Sequence, residues 1–437
     1  MREMKNTGVI WCPTIPNSWN LEKVKHNFYI SKVKASTSNP IVLKLARAGV
    51  QVRDISNNEG QLAASYDDYN PVTYGDLLLN PMDLYSGANC NTSEIEGVIS
   101  PAYANLRKLK ELNPKYYDYY FKLQYWTMAM FAHGKGVSFD NRWTINAEGI
   151  LNYEIPVPTK AEQDIIVHTI SSKCEQVDTL ITNQEAQIEK LKQYKQSLIT
   201  EVVTKGLNPN VEMKDSGVEW IGLIPKHWNV VKIKRIADRN HPYAIGDGDH
   251  GLIKPDDYKE SGIPYIRVQN LGWATDIDTS NIVYISEDTN QKIKGSTLRP
   301  NDILLAKTGG TIGKTAIVPA SMPISNTTSH VGKISVSDKY CANYIFYVLS
   351  SSVGYRQFWE YASSKTTRPE LAIDELKQIL ITLPSQLEEQ KEIVAYLDEE
   401  CAKIDKLIEI KQSKISKLNE YKKSLIYEYV TGKKEVV

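Results

Sequence analysis

In two stretches of the chain an apolar residue returns at every third or fourth position. From Glu162 to Thr204 the stripe reads Val167, Ile170, Cys174, Val177, Ile181, Gln184, Ile188, Leu191, Lys195, Leu198 and Val202. From Glu389 to Thr431 it reads Val394, Leu397, Cys401, Ile404, Ile408, Lys411, Ile415, Leu418, Lys422, Leu425 and Tyr429. Both stretches lack Gly and Pro and are rich in Glu, Lys, Gln, Leu and Ile, which predicts helix. The spacing is that of an a/d heptad seam held for about five heptads, with polar interruptions at matching places. At 1.5 Å per residue each helix is a rod of roughly 60 Å. Two matched rods in one chain most simply pair with each other. Leu180, Leu407, Tyr194 and Tyr421 widen the stripes, so each helix is expected to touch a third surface as well.

The segments between the helices switch to strand-like and mixed patterns. "GIPYIRVQNL" (262–271), "NDILLAKTGG" (301–310) and "KTAIVP" (314–319) read as short strands bounded by turns, and "NYIFYVLSSSVGYRQFWEYA" (343–362) reads as helix. In the first half "YGDLLLNP" (74–81) and "YYDYYFKLQYWTMAMFAH" (116–133) run parallel to them. "ILNYEIPVP" (150–158) and "LKQILITLP" (376–384) each read as a closing apolar strand that ends in proline.

The two helical segments align without a gap, pairing Cys174 with Cys401, Asp178 with Asp405 and Tyr194 with Tyr421. A second repeat lies at the start of each globular stretch: "GVIWCPTIPNSWNLEKVK" from Gly8 and "GVEWIGLIPKHWNVVKIK" from Gly217. The order is domain, helix, domain, helix, which predicts a pseudo-twofold protein built from a duplicated unit. The expected domains are 1–158, a central helix over 159–207, 208–384, and a C-terminal helix over 385–437. The expected fold class is α/β (α+β), two globular domains separated by an antiparallel coiled coil.

Composition narrows the function classes. With 437 residues, 41% hydrophobic and 24% charged, the chain reads as a soluble protein of two to four domains. No apolar run is long enough for a bilayer, and "MREMKNTGVIW" has no signal-peptide core, so the cytoplasm is the expected compartment. Lys plus Arg equals Asp plus Glu at 52 each, which weighs against an autonomous strong DNA binder. Five scattered cysteines give neither a disulfide framework nor a metal knuckle.

The duplicated order of Trp phrase, variable domain, "P…EQ" and long Tyr/Lys-rich helix resembles the specificity subunit of a Type I restriction-modification system. The resemblance runs over essentially the whole chain, and "SGVEWIGLIPKHW" and "EQKEIVAYL…LNEYKKSLIYEYVTGK" carry it most specifically. It implies two target-recognition domains, each reading half of a split double-stranded DNA sequence. It also implies helices that space the domains and dock two methyltransferase subunits, with restriction subunits joining for cleavage. The resemblance places no cofactor in this chain; S-adenosylmethionine, and ATP with Mg for restriction, belong to the partner subunits. A Type IIB-like assembly and a coiled-coil protein-binding scaffold are the alternative readings.

Candidate DNA contacts follow from residue type. "KTGGTIGKT" (307–315) lacks the first Gly of a Walker loop, where Thr308 stands, and reads as a Gly-rich hairpin or as a loop offering Lys307, Thr308, Thr311 and Lys314 to DNA. "SSKTTRPEL" offers Lys365, Thr366, Thr367 and Arg368; its counterpart "GKGVSFDNRW" offers Lys135, Ser138, Asn141 and Arg142. Arg267 and Gln269 share one face if "YIRVQN" is a strand, with Asn270 beside them. "IVLKLARAGVQVRD" and "EGVISPAYANL" resemble recurrent family segments and add Lys44, Arg47 and Arg53. Solvated loops and strand faces account for all of these equally simply. No Asn/Asp-Pro-Pro-aromatic methyltransferase motif, nuclease motif or His-based metal spacing is present, so no catalytic role is expected.

Overall fold

The computed structural model describes residues 2–35, 40–46, 49–55, 65–84, 90–136, 143–249, 251–362 and 369–436. The chain divides into two compact units, Met1–Gln184 with Gln412–Val437, and Glu185–Lys411. Each of the long helices, Lys160–Lys205 and Leu387–Val430, gives one half to each unit.

Unit 1 opens with a hairpin, Met4–Asn6 against Thr14–Pro16. Its centre is an antiparallel sheet in the order Phe28–Ile30, Ala104–Lys108, Leu77–Leu79, Cys90–Thr92. The helix Pro114–Trp126 starts where Asn113 accepts the Lys115 N–H and Pro114 has no N–H in need of an acceptor. It buries Tyr116, Tyr117, Tyr120, Phe121 and Tyr125 almost completely, so it runs through the core rather than over it.

Unit 2 repeats the plan. The hairpin is Met213–Asp215 with Leu223–Pro225, and the sheet order is Ile245–Gly246, Val331–Ile334, Ile303–Ala306, Thr315–Ile317. A further sheet joins Val283–Ile285, Ile263–Ile266 and Asn326–Thr327, the last pair in parallel. Two helices follow, Ala342–Ser350 and Ser352–Ala362, where the sequence suggests one; Ser351 leaves helical geometry with ψ 169°. The segment 150–158 is likewise only partly strand. Asn146 accepts the Gly149 N–H and caps a helix, Ala147–Asn152, before the strand Glu154–Val157 begins.

The repeated Trp phrase is a clamp, built the same way in both units. Trp19 and Trp228 are fully buried, and their indole N–H groups donate to Glu162 (2.8 Å) and Glu389 (2.9 Å), in the first turns of the long helices. The adjacent Gln163 accepts from the Asn113 amide and donates to the Pro158 carbonyl; Gln390 does the same with Cys341 and Pro384. Tyr116 donates to the Val430 carbonyl and Tyr344 to that of Val203, near the ends of the helices. Gly206 and Gly432 then turn the chain with φ of +75° and +69°, against Trp228 and against Pro16 and Trp19. A Cβ on Gly432 would fall 2.4 Å from Pro16, so both left-handed backbone and close approach require glycine there.

Along the helices burial follows the stripe. Ile170, Cys174, Val177, Gln184 and Ile188 are buried on one helix, and Val394, Leu397, Cys401, Ile404 and Leu425 on the other, while Val167, Ile181, Leu191, Leu198, Ile408, Ile415 and Leu418 are half-buried. The polar interruptions have partners. In unit 2 Lys195 pairs with Asp405 (2.7 Å) and Lys411 donates to Gln187, so the two helix halves run in opposite directions. In unit 1 Lys422 pairs with Asp178 (2.6 Å). Leu180, Tyr194, Leu407 and Tyr421 remain roughly half exposed, and each helix meets a third surface through other residues, Ser171 with Tyr119, Gln196 with the Ser350 carbonyl and Asp398 with Tyr347.

Candidate nucleic-acid interface

In unit 2 the strands Ile303–Ala306 and Thr315–Ile317 are joined by the Gly-rich stretch, which folds as a tight hairpin with a 3-10 turn at Gly309–Thr311. Gly309 and Gly310 stand in open space, whereas a Cβ on Gly313 would lie 2.7 Å from the Tyr355 ring. The base of the hairpin is stapled to a second candidate segment. Gly309 N–H donates to the Pro369 carbonyl, Leu371 N–H to that of Lys307, and Thr308 bridges Glu370. The backbone thus brings the hairpin next to the segment that follows residues 363–368; Lys365, Thr366, Thr367 and Arg368 themselves lie outside the described residues.

Several expected contacts are turned inward instead. Lys307 is only 4% exposed and pairs with Asp247 (3.0 Å) and Glu370 (2.8 Å), because a buried ammonium needs counter-charges. Thr311 donates its hydroxyl to the Thr308 carbonyl, and Thr308 is buried. The strand read over "YIRVQN" ends at Ile266; Val268–Asn270 is a 3-10 turn, so Arg267 and Gln269 do not share a strand face. The cause is Asn270, whose Oδ1 accepts the Arg267 N–H while its Nδ2 donates to the Asp278 carbonyl. Arg267 reaches back to the Asn281 carbonyl (2.8 Å) and lies over the Tyr258 ring at 5.4 Å. Lys333 is also drawn inside, donating to the Gly295 and Thr297 carbonyls, and burial lowers its pKa.

Gln269 is exposed, and Lys314 is half exposed with no ion pair among the described residues. Beside them stand two aromatics that sequence reasoning missed: Trp273, 52% exposed, and Tyr355, with ring centroids 5.9 Å apart and both packed on Gly313. The hint was the glycine, since a Gly at a left-handed hairpin position often marks close approach by a large group. In unit 1 Lys44 is exposed on the strand Leu43–Ala46, opposite Gln51, while Leu43 and Leu45 face inward. Arg53 is half-buried and Lys135 is exposed, bridging Thr144. Arg47, Ser138, Asn141 and Arg142 lie outside the described residues.

Lys314, Gln269 and the open glycine amides can donate to phosphate and base edges, and Trp273 and Tyr355 can pack against sugar and base. No group of three or more His, Cys, Asp or Glu is placed to hold a metal ion among the described residues, and no helix there is long and apolar enough to cross a membrane.

Comparison with known proteins bears on these features. Residues 225–432 match the Type I restriction modification DNA specificity domain. The Type I restriction enzyme MjaVIII specificity subunit of Methanocaldococcus jannaschii is 27% identical over 84% of this chain and 82% of its own length. The EcoBI specificity subunit of Escherichia coli is 27% identical over 82% of this chain and 74% of its own. In fold, the chain is similar to one from a solved type I restriction-modification system, with a TM-score of 0.64, 16% identity, and coverage of 95% and 98% of the two chains. Sequence and architecture agree in this similarity to the DNA specificity subunits of Type I restriction-modification systems, which the family model carries over residues 225–432.

Proposed function

We propose that the chain is the noncatalytic specificity subunit of such a complex and reads a bipartite double-stranded DNA target. Each globular domain contributes one reading head, with the hairpin 307–314 and its neighbours serving in the second and the Lys44 strand in the first. The long helices form an antiparallel coiled coil that spaces the half-sites and carries two methyltransferase subunits. Their exposed Leu180, Tyr194, Leu407 and Tyr421 suit such docking, being large apolar groups on an otherwise polar surface. Adenine methylation and restriction, with S-adenosylmethionine, ATP and Mg, then fall to partner subunits in the cytoplasm. The observation that carries this reading is the duplicated clamp, which fastens two different domains to one kind of helix end. Adenine methylation mapped genome-wide, with and without the gene, tests it. The expected result is loss of methylation at one split motif; an unchanged methylome refutes it.

A further inference from the structure

The clamp fixes a residue-by-residue equivalence between the units, and one corner beside it differs in charge. Tyr116 and Tyr344 bond matching helix carbonyls, and three residues on, Tyr119 reaches Ser171 while Tyr347 reaches Asp398. In unit 1 this corner is filled from within. Lys115 and Lys122 both pair with the buried Asp118 (2.8 and 2.9 Å) and lie 5.7 and 5.9 Å from the centre of the Tyr119 ring. In unit 2 the same positions hold Asn343, Ser350 and Phe346. Both lysines are gone, the carboxylate between them has become a phenyl ring, and the long helix now presents a carboxylate where unit 1 has a hydroxyl.

What remains is a cavity of about 350 Å³, walled by Phe346, Tyr347, Ala274, Ile317 and Ala402 and edged by Asp276, Asp398 and Asp405. One amine, Lys195, faces these three carboxylates, and it is already paired with Asp405. Asp276 is exposed and makes no ion pair among the described residues. The strained loop carrying it holds Ala274 at φ +55° against the core of unit 2. Apolar walls with an anionic edge suit an alkyl stem bearing a cationic head. The same carboxylates repel a phosphate backbone, so nucleic acid is not the occupant. On the helices of this unit Tyr194, Leu407 and Ile410 are 57%, 47% and 55% exposed, close in sequence to Lys195 and Asp405.

We propose that this cavity anchors a lysine or arginine side chain of a methyltransferase subunit docked on the Tyr194–Leu407 face. Unit 1, which supplies its own lysines, offers no such anchor. The two docking events are therefore chemically unequal. The inference rests on the reading above that the chain recruits methyltransferase subunits.

The test titrates the full-length chain with the methyltransferase subunit of its own system and follows stoichiometry by native mass spectrometry. Asp276→Asn with Asp398→Asn removes two of the charges. Asn343→Lys places in the cavity the lysine that unit 1 carries. Each change should weaken one of the two bound copies by 10-fold or more, leave the other copy unchanged, and flatten the salt dependence of the weakened step. Melting temperature, read in parallel, separates lost docking from lost folding, and Asn343→Lys should not lower it. Wild-type stoichiometry and affinity in both variants overturn the anchor while leaving the function intact. A wild-type chain that binds no methyltransferase subunit overturns the function and the anchor together.

Discussion

Replacing Lys307 by Met separates a lysine that holds the hairpin at 307–314 from one that touches DNA. The side chain is 5% exposed between Asp247, itself 9% exposed, and Glu370, 56% exposed. Removing the cation leaves the Asp247 carboxylate buried without its main counter-charge, a loss of about 3–5 kcal/mol for pairs of this kind. Glu370 is open to water and adds little. Asp247 also keeps another interaction, so the lower end of that range, about 3 kcal/mol, is expected. Hydrogen exchange at Ile303–Ala306 reads this locally, and about 3 kcal/mol corresponds to roughly 100-fold faster exchange. Adding Asp247→Asn should restore much of the loss, because a neutral amide is far less costly to bury than an unpaired carboxylate. DNA binding supplies the second readout. A lysine on phosphate steepens the plot of log affinity against log salt by about 0.9, so its removal would flatten the plot. A buried strut lowers affinity and leaves the slope alone. Exchange within about twofold of wild type, or a slope that falls by about one, would refute the assignment.

The remaining expectations are simpler. Lys314→Ala should reduce that slope by about 0.9 and weaken binding to all sequences alike, measured by salt-titrated anisotropy on duplex DNA. Gly313→Ala should cost roughly 1–3 kcal/mol, through its φ of +94° and the Tyr355 ring, whereas Gly310→Ala, in open space, should leave the melting temperature unchanged. Trp228→Phe should destabilise unit 2 by about 1.5–3 kcal/mol, the range for a hydrogen bond to a charged group, read by urea unfolding. Native maleimide labelling should reach Cys341 first. Cys12 and Cys401 are buried with thiols pushed up to about 11, so they hold almost no thiolate at pH 8, and mass spectrometry should find them unlabelled.

The long helices were legible because their signal is local: no Gly or Pro, a steady stripe, and two copies that agree. The hairpin at 307–314 was legible for the same reason, through its glycines. What escaped depends on partners distant in sequence or on a single side-chain hydrogen bond. Lys307 reads as a surface lysine until Glu370, 63 residues away, closes on it. "YIRVQN" has strand composition, and nothing in it reveals that Asn270 will cap Arg267 and end the strand. The helix at Ala147–Asn152 hid inside an apolar run because one Asn side chain decides its start. The Trp phrases stood out as repeats, yet their purpose needed Glu162 and Glu389, which lie in the helical repeats and not beside them.

The clamp also bears on how such a chain changes over evolutionary time. The Trp228–Glu389 bond in unit 2 joins two repeated stretches, one around Pro225 and Trp228 and the other beginning at Glu389. A genetic crossover within each stretch would replace the intervening residues wholesale without breaking the Trp228–Glu389 contact. The incoming sequence need supply a tyrosine in the place of Tyr344, an amide in the place of Cys341 and a carbonyl in the place of Pro384. Both units use the same Trp–Glu fastening, although the corner at Ser171 and Asp398 differs between them, so an exchange between like halves keeps every contact in kind. A lineage carrying this architecture can therefore exchange the whole globular domain between two crossovers, with no intermediate in which the helices have lost their domain.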